Sequence, residues 1–116
     1  MTTEIYYNPR CSKCRQTLAL IQERGIEPTI IAYLEEPPSK RTLSDIIRKL
    51  GVDPVELIRF KEPAARELGL NRTDKRSRVA WIEILAENPG LLERPIVIRG
   101  NKAVIGRPPE NVLGLL

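Results

Sequence analysis

The sequence predicts an α/β protein built on a mixed four-stranded sheet. Three observations predict it: a strand-helix-strand pattern over residues 4–33, a helical stretch over about residues 37–90, and a β-hairpin over residues 95–105 that leads into a short helix. The chain has 116 residues, of which 41% are hydrophobic and 29% charged. That composition is sufficient for one compact domain, residues 1–116, with a core of its own.

The amino-terminal third predicts a βαβ unit. Residues 4–7 are apolar and strand-like, and the segment from Ser12 to near Gly25 has helical spacing. Residues 29–33 are mostly β-branched and apolar, which suits a buried parallel strand. A right-handed crossover then places the loop of residues 8–14 at the carboxyl ends of the strands, where open α/β sheets bind ligands.

The middle of the chain is helical and is interrupted by prolines and glycines. The first helix begins after the cap Ser39 and ends at Gly51, with apolar residues at Leu43, Ile46, Ile47 and Leu50. Asp53-Pro54 begins a short helix, and residues 62–68 form another that Gly69 closes. After a polar loop over residues 71–78, a last amphipathic helix points four residues inward: Val79, Ile82, Leu85 and Ala86.

The carboxyl-terminal part predicts the two remaining strands. Residues 95–99 and 102–105 flank Gly100-Asn101, the composition of a two-residue hairpin turn. Residues 109–116 have apolar positions at helical spacing and predict a final short helix.

The two cysteines, Cys11 and Cys14, follow the first strand directly. Cys11 falls at the first turn of a helix, where backbone N–H groups and the helix dipole can lower a thiol pKa from ~8.5 to between ~3.5 and ~7.5. We therefore predict that Cys11 is a nucleophilic thiolate; the alternative is a cysteine that only packs. Cys14 either resolves a mixed disulfide with Cys11 or points into the core. The chain has no histidine, so the thiol must be acidic without the usual general base.

Composition narrows the set of ligands. Net charge is +4, which leaves small oxyanions, acidic protein faces and nucleic acid as partners. Aromatic residues make up 4% of the chain, so we expect no nucleic-acid stacking, and the basic run of residues 72–78 is interpreted as a solvated loop. Two cysteines without histidine do not make a structural zinc site unless two chains share it, and we expect neither a metal nor a bound cofactor. No signal peptide or membrane span is apparent, and we expect a cytoplasmic monomer.

Three arginines have an unusual sequence context. Arg59, Arg94 and Arg107 lie among apolar residues or prolines, where an exposed charge is not expected from the pattern. Arg94 and Arg107 border the hairpin and should lie near the cysteine loop. The planar guanidinium suits a tetrahedral oxyanion, although each arginine taken singly also fits a surface residue or an ion pair. The same loop carries four further candidates for the oxyanion site: Asn8, Arg10, Ser12 and Lys13.

The predicted order of elements resembles the thioredoxin-like fold: βαβ, helical insertion, then ββα, with a Cys-x-x-Cys motif at the first strand-helix junction. In that fold a proline, usually cis, opens the strand after the helical region and faces the cysteines. The resemblance gives Pro95 this role.

Four motifs together resemble the ArsC family of glutaredoxin-coupled arsenate reductases, and they cover nearly the whole chain. They are Asn8-Pro9-x-Cys11, Leu57-Ile58-Arg59, Arg94-Pro95-Ile96-Val97 and Gly106-Arg107-Pro108-Pro109-Glu110. The resemblance implies that Cys11 attacks arsenate, that Arg59, Arg94 and Arg107 hold the oxyanion and its adduct, and that Asn8 shapes the anion loop. Glutathione is then the co-substrate, and glutaredoxin or thioredoxin the electron-donor protein.

Two residues depart from the plasmid-type reductases. Tyr7 stands where those enzymes have a histidine that acidifies the thiol, so activation falls to the helix start, Arg10 and Lys13. Cys14 instead resembles the Cys-x-x-Cys of the Spx-type redox regulators. Three hypotheses follow: an arsenate reductase, an Spx-like regulator or thiol-disulfide oxidoreductase, and an anion-binding module without activity. Arg107 belongs to the reductase pattern and favours the first.

Overall fold

The computed structural model describes every residue from Met1 to Leu116 and divides into two compact units. The first unit combines Met1–Glu36 with Arg94–Leu116, and the second is Pro37–Glu93. The helical region expected at about residues 37–90 corresponds to the second unit; that both units belong to one domain remains a prediction. None of the helices has the length and apolar character needed to cross a bilayer.

The first unit is built on a four-stranded sheet with the order β2-β1-β3-β4. Its strands are β1 (Thr3–Tyr6), β2 (Thr29–Ile31), β3 (Ile96–Arg99) and β4 (Lys102–Ile105). β1 pairs with β2 in parallel and with β3 antiparallel, and β4 pairs antiparallel with β3. The mixed four-stranded sheet predicted from the sequence is therefore confirmed.

One helix and a 3-10 helix complete the first unit. Helix α1 (Ser12–Glu23) packs against the 3-10 helix Pro109–Gly114 at the end of the chain. Between them and the sheet lies a core of fully buried side chains: Ile5, Ile21, Val97 and Val112. Each such residue contributes on the order of 1.5–3 kcal/mol by leaving water, so this core holds α1 against β1 and β3.

Strand β2 is parallel, as expected, but the expectation that it is buried is wrong. Thr29 and Ile30 are exposed, Ile30 at 50%. The reason is its position: β2 pairs only with β1 and forms an edge of the sheet. The first buried residue after β2 is Tyr33, two residues beyond the end of the strand, which is 0% exposed.

The second unit consists of short helices. They are α2 (Lys40–Leu50), α3 (Pro63–Glu67) and α4 (Arg78–Glu87), with 3-10 helices at Pro54–Leu57 and Pro89–Leu91. Ser39 caps α2, since its hydroxyl accepts a hydrogen bond from the Thr42 N–H at 3.1 Å. Gly51 ends the helix with φ of 68°, a conformation that favours glycine. The predicted apolar face of α2 is confirmed, because Leu43, Ile46 and Ile47 are buried.

Helix α4 is present, but the inward position predicted for Val79 is wrong. Val79 is 63% exposed, and Trp81 at 3% takes the buried position beside Ile82 and Leu85. Burying the large indole outweighs burying a valine, and Phe60 meets its ring edge-on with centroids 6.0 Å apart. The inward face of α4 is therefore rotated from the one predicted.

Candidate active site

Cys11 lies where β1 passes into α1. It is the N-cap of α1 with extended backbone angles, φ −94° and ψ 117°. The loop before it is closed by Asn8, whose carbonyl accepts the Cys11 N–H at 3.0 Å and whose side-chain oxygen accepts the Arg10 N–H at 3.0 Å. Such an Asx turn is favoured by asparagine. It holds the Cys11 sulfur at the positive end of the helix, where a negative charge is stabilised.

Arg107 places a charged group beside this sulfur. Its Nη2 lies 3.4 Å from Cys11 Sγ, and its Nε donates to the carbonyl oxygen of Arg94 at 2.7 Å. The second bond fixes the guanidinium plane, so that Nη2 is aimed at the thiol. A fixed cation beside the sulfur favours the thiolate over the thiol.

The backbone around Gly106 brings Arg107 to the site. The Gly106 N–H donates to the Pro95 carbonyl at 2.9 Å. A Cβ at residue 106 would lie 2.6 Å from Thr17 Oγ1 and 2.8 Å from Pro95 Cγ, closer than real Cβ contacts. Only glycine allows this approach to α1 and Pro95. The peptide bonds Arg94-Pro95 and Arg107-Pro108 are both cis.

The surroundings of Cys11 favour its ionised form. Burial raises the pKa of the thiol, but hydrogen bonds from the Cys14 N–H and the Cys14 thiol, the charge of Arg107 and the Lys13 N–H lower it more. The net result is a Cys11 pKa below its ordinary value. The cation at the sulfur is thus the guanidinium of Arg107, while Lys13 acts through its backbone.

Cys14 is a different kind of thiol. It is free and 0% exposed, in the first turn of α1. Burial is the main cause that raises its pKa to about 12, and the neighbouring Cys11 sulfur adds to it. Cys14 is therefore protonated at neutral pH.

Two further side chains interact electrostatically with the thiols: Arg94 with Cys14, and Tyr33 with both cysteines. The Arg94 charge lowers the pKa of both Cys14 and Tyr33. Tyr33 follows β2, and burial is the main reason that its pKa is raised. Its hydroxyl is buried and makes no hydrogen bond of normal geometry, although the side chain of Asn8 faces it. Tyr33 was missed in the sequence because a tyrosine at the end of a β-branched run does not reveal which groups it will meet.

The remaining candidate residues are distributed as follows. Arg10 and Ser12 are exposed beside Cys11, and Arg10 contributes its backbone N–H to the loop. Arg59 belongs to the second unit, where its Nε lies 3.1 Å from Glu62 Oε1 and its Nη1 3.2 Å from Glu93 Oε1. Two carboxylates therefore hold the Arg59 guanidinium in place. No three His, Cys, Asp or Glu side chains converge on a point that could hold a metal.

Comparison with known proteins gives consistent results. The model of the ArsC family matches residues 6–115. The chain is 45% identical over 117 residues to a protein of Haemophilus influenzae named arsenate reductase, covering 100% of both chains. It is also 47% identical over 114 residues to an uncharacterised protein of Escherichia coli K12, covering 97% of this chain and 95% of the other.

Solved structures agree. A structure described as arsenate reductase from Vibrio cholerae has a TM-score of 0.94 and 44% identity, covering 100% of this chain and 98% of its own. A structure described as a putative arsenate reductase from Yersinia pestis has a TM-score of 0.90 and 45% identity, covering 97% of this chain and 98% of its own. The thioredoxin-like architecture predicted from the sequence is the one that these ArsC-like neighbours share, and it is confirmed.

Proposed function

The chain belongs to the ArsC family, and on that premise we propose that it is an arsenate reductase in which Cys11 is the nucleophile. The observation that carries the proposal is the contact between Arg107 Nη2 and Cys11 Sγ at 3.4 Å. A thiol-disulfide oxidoreductase needs only the acidic thiol that this guanidinium favours, whereas the planar fork of the guanidinium also matches the oxygens of an oxyanion. An enzyme that adds an oxyanion to the thiol needs both. Relatives named arsenate reductase at 42–45% identity support arsenate as that oxyanion.

Arsenate binds as an anion at the start of α1. Backbone N–H groups and the helix dipole favour negative charge there, and Arg107 contributes a planar fork of donors that matches two oxygens of the anion. Arg94 adds positive charge beside the sulfurs. Arg59 completes the set of three arginines by its place in the Leu57-Ile58-Arg59 motif, and its role is the one assigned by family resemblance.

The first chemical step joins sulfur to arsenic. The Cys11 thiolate attacks the arsenic of arsenate, an S–As(V) bond forms, and one oxygen leaves as water after taking up protons. The guanidinium groups neutralise the charge on the remaining arsenic oxygens. An already ionised thiol explains how this step proceeds without a histidine base.

The second step transfers two electrons to arsenic. Glutathione attacks the Cys11 sulfur, the S–As electron pair moves to arsenic, and arsenite departs as As(III). What remains is a mixed disulfide between Cys11 and glutathione. The thiolate of glutaredoxin then attacks the glutathione sulfur and releases Cys11 as a thiolate. The pathway has no step for a metal or an organic cofactor.

Glutathione as donor suits a cytoplasmic enzyme that removes arsenate from the cell, and we propose this location and role with a monomeric chain. The cytosol keeps glutathione reduced, so the mixed disulfide is turned over continuously. Thioredoxin as the alternative donor requires an internal Cys11–Cys14 disulfide. The burial of Cys14, which is 0% exposed, disfavours that route.

Coupled turnover tests the proposal. NADPH oxidation is followed with arsenate, glutathione, glutathione reductase and glutaredoxin, and in parallel with thioredoxin and its reductase. We expect arsenate-dependent turnover with the glutathione system and none in Cys11→Ser. Mass spectrometry of wild type with glutathione withheld should show an arsenic adduct on Cys11. Full activity in Cys11→Ser would exclude the mechanism, and anion binding without adduct or turnover would indicate a binding module.

A further inference from the structure

The second unit carries a groove along α2 that the reaction proposed above does not use. Its volume is about 670 Å³, which is in the range of sites that hold small organic molecules. The residues that line this α2 groove are all polar or charged: Arg41, Thr42, Ser44, Asp45, Arg48 and Arg78. Because no apolar side chain contributes to its wall, an apolar ligand would gain little by entering it.

Helix α2 sets the spacing of the groups along the groove. Arg41 and Arg48 are seven residues apart in this helix, so they lie on the same side of it, about 10 Å from each other along its axis. Ser44 and Asp45 fall between them, three and four residues after Arg41, and share that side. Arg78, the first residue of α4, adds a guanidinium from a second helix. The α2 groove therefore has a cation at each end of a row, with a hydroxyl and a carboxylate between them.

The protein leaves the positive charge of this groove largely uncompensated. Arg41 and Arg78 are exposed, and neither guanidinium pairs with a carboxylate. Arg48 Nη2 lies 2.5 Å from one oxygen of Asp45, and Lys49 Nζ lies 3.3 Å from the other. The only carboxylate of the groove is thus shared between two cations, and two further cations remain available to a ligand.

The two kinds of group in this row suit different parts of one ligand. Guanidinium groups bind phosphoryl oxygens through a planar fork of donors. The carboxylate of Asp45 repels a phosphoryl group but accepts hydrogen bonds from hydroxyl groups, and the hydroxyl of Ser44 can donate or accept them. A ligand that matches the row has a phosphoryl group at each end and hydroxyl groups between them. A single inorganic oxyanion would use only one end.

We propose that the α2 groove is a binding site for a small organic bisphosphate that carries hydroxyl groups between its phosphoryl groups, as a sugar bisphosphate does. Arg41 and Arg48 bind the two phosphoryl groups, with Arg78 as the third guanidinium. Ser44 and Asp45 bind the hydroxyl groups. None of these residues belongs to the first unit, which holds Cys11, so the inference goes beyond the proposed reductase function and does not rest on it.

Titration of the full chain with fructose 1,6-bisphosphate at about 50 mM salt tests the proposal. Fructose 6-phosphate, inorganic phosphate and a tetra-aspartate peptide are the comparisons. Isothermal titration calorimetry measures Kd, and the amide chemical shifts of 15N-labelled protein locate the site. We expect the bisphosphate to bind about tenfold or more tightly than each comparison, because only it offers two phosphoryl groups to cations about 10 Å apart. The shifts should concentrate in residues 41–48 and 77–80, and about 200 mM salt should weaken the binding.

Two substitutions test the unpaired arginines. Arg41→Gln and Arg78→Gln each remove a charge at an exposed position, and the amide spectrum without ligand shows that the variant is folded. Each should raise Kd for the bisphosphate by about threefold to tenfold, since an exposed ionic contact is partly screened by solvent. Arg66→Gln is the matched control, because Arg66 is also exposed in the second unit but does not line the α2 groove. Its Kd should equal that of wild type.

Four outcomes would overturn the proposal: no binding of the bisphosphate at millimolar concentration; equal or tighter binding of any comparison; an equal loss of affinity in Arg66→Gln and the groove variants; or shifts confined to residues 8–14 and 106–107. The last would mean that a phosphoryl group occupies the arsenate site instead. Titration requires no turnover, so the two proposals can fail separately. Wild type without arsenate reduction but with bisphosphate shifts along α2 would reject the reductase function and retain the α2 groove.

Discussion

The guanidinium of Arg107 lies 3.4 Å from the sulfur of Cys11, although 96 positions separate them along the chain. The bond from Arg107 Nε to the Arg94 carbonyl at 2.7 Å holds it in that orientation. A lysine at this position would keep the charge, but it could not donate to the carbonyl and face the sulfur with one rigid group. Arg107 therefore places a positive charge beside the Cys11 sulfur and also fixes the direction in which its guanidinium faces that sulfur.

Substitution of Arg107 by lysine tests that combination. We expect Arg107→Lys to raise the pKa of Cys11 and to lower kcat/KM for arsenate by about tenfold to a hundredfold, the range for loss of a charge-assisted hydrogen bond. The rate at which iodoacetamide alkylates Cys11, followed as a function of pH, measures the pKa. The coupled assay of NADPH oxidation measures kcat/KM. Arg99→Lys is the matched control, because Arg99 Nη1 donates to Thr3 Oγ1 at 2.9 Å in the same unit. Wild-type profiles in Arg107→Lys would contradict the assigned contact.

We predict that Gly106 controls the position of Arg107 only because there is no room for a Cβ at residue 106. Gly106→Ala places a Cβ 2.6 Å from Thr17 Oγ1 and 2.8 Å from Pro95 Cγ, so the segment carrying Arg107 must move away. We expect a stability loss of about 1–3 kcal/mol together with a higher Cys11 pKa. Chemical denaturation and the alkylation profile measure them. In Gly114→Ala, where a Cβ meets nothing within 4 Å, neither quantity should change; similar effects in both variants would reject the explanation.

Local patterns predicted most of the elements because those patterns arise from short-range chemistry. Ser39 and Gly51 bound α2 through a cap and a left-handed residue, both of which can be read from neighbouring residues. The hairpin at Gly100-Asn101 follows from turn chemistry in the same way. The errors involve long-range packing. The exposure of Ile30 depends on which strand forms the sheet edge, and the exposure of Val79 on which side chain of α4 fills the core.

The sequence predicted which residues meet at the start of α1 better than it predicted what each of them does. The Asn8-Pro9-x-Cys11 motif pointed to Cys11 and the glycine-arginine-proline motif to Arg107, and the structure places these two side chains 3.4 Å apart. The sequence could not assign the state of Cys14, because its pKa is set by burial and by Asn8, Arg94 and Cys11 together. The sequence favoured neither a resolving nor a packed Cys14. The choice between the two can be argued only once the burial of Cys14 is known.

The raised pKa of Cys14 predicts an alkaline loss of stability. The folded state keeps the proton up to a pKa of about 12, whereas the unfolded thiol loses it near 9.0. Between these values the native state binds more protons, so stability falls as pH rises, by at most ~1.4 kcal/mol per pH unit from this group. Below pH 8 the contribution is complete and constant.

Urea denaturation at pH 8 and pH 10 measures the effect as a difference between proteins. The free energy of unfolding of wild type should fall by about 1 kcal/mol more than that of Cys14→Ser between the two pH values, because the serine hydroxyl does not ionise there and still offers Cys11 a donor. Other groups that titrate in this range are common to both proteins and largely cancel. Equal losses of stability in the two proteins would mean that the pKa of Cys14 is the same in the folded and the unfolded state.

Substitution of Arg59 distinguishes two roles for this residue: a ligand of the substrate, or a member of a structural ion pair. Its guanidinium contacts Glu62 and Glu93, and the family motif assigns it to the oxyanion. If that assignment holds, Arg59→Ala raises KM for arsenate by about tenfold or more, the loss expected for one charge-assisted contact. Arg72→Ala is the control, because Arg72 also pairs with a carboxylate, that of Glu56, but lies outside the motif. Lower stability in Arg59→Ala with unchanged arsenate kinetics would leave Arg59 as an ion-pair residue only, and arsenate would then be bound by Arg94, Arg107 and the start of α1.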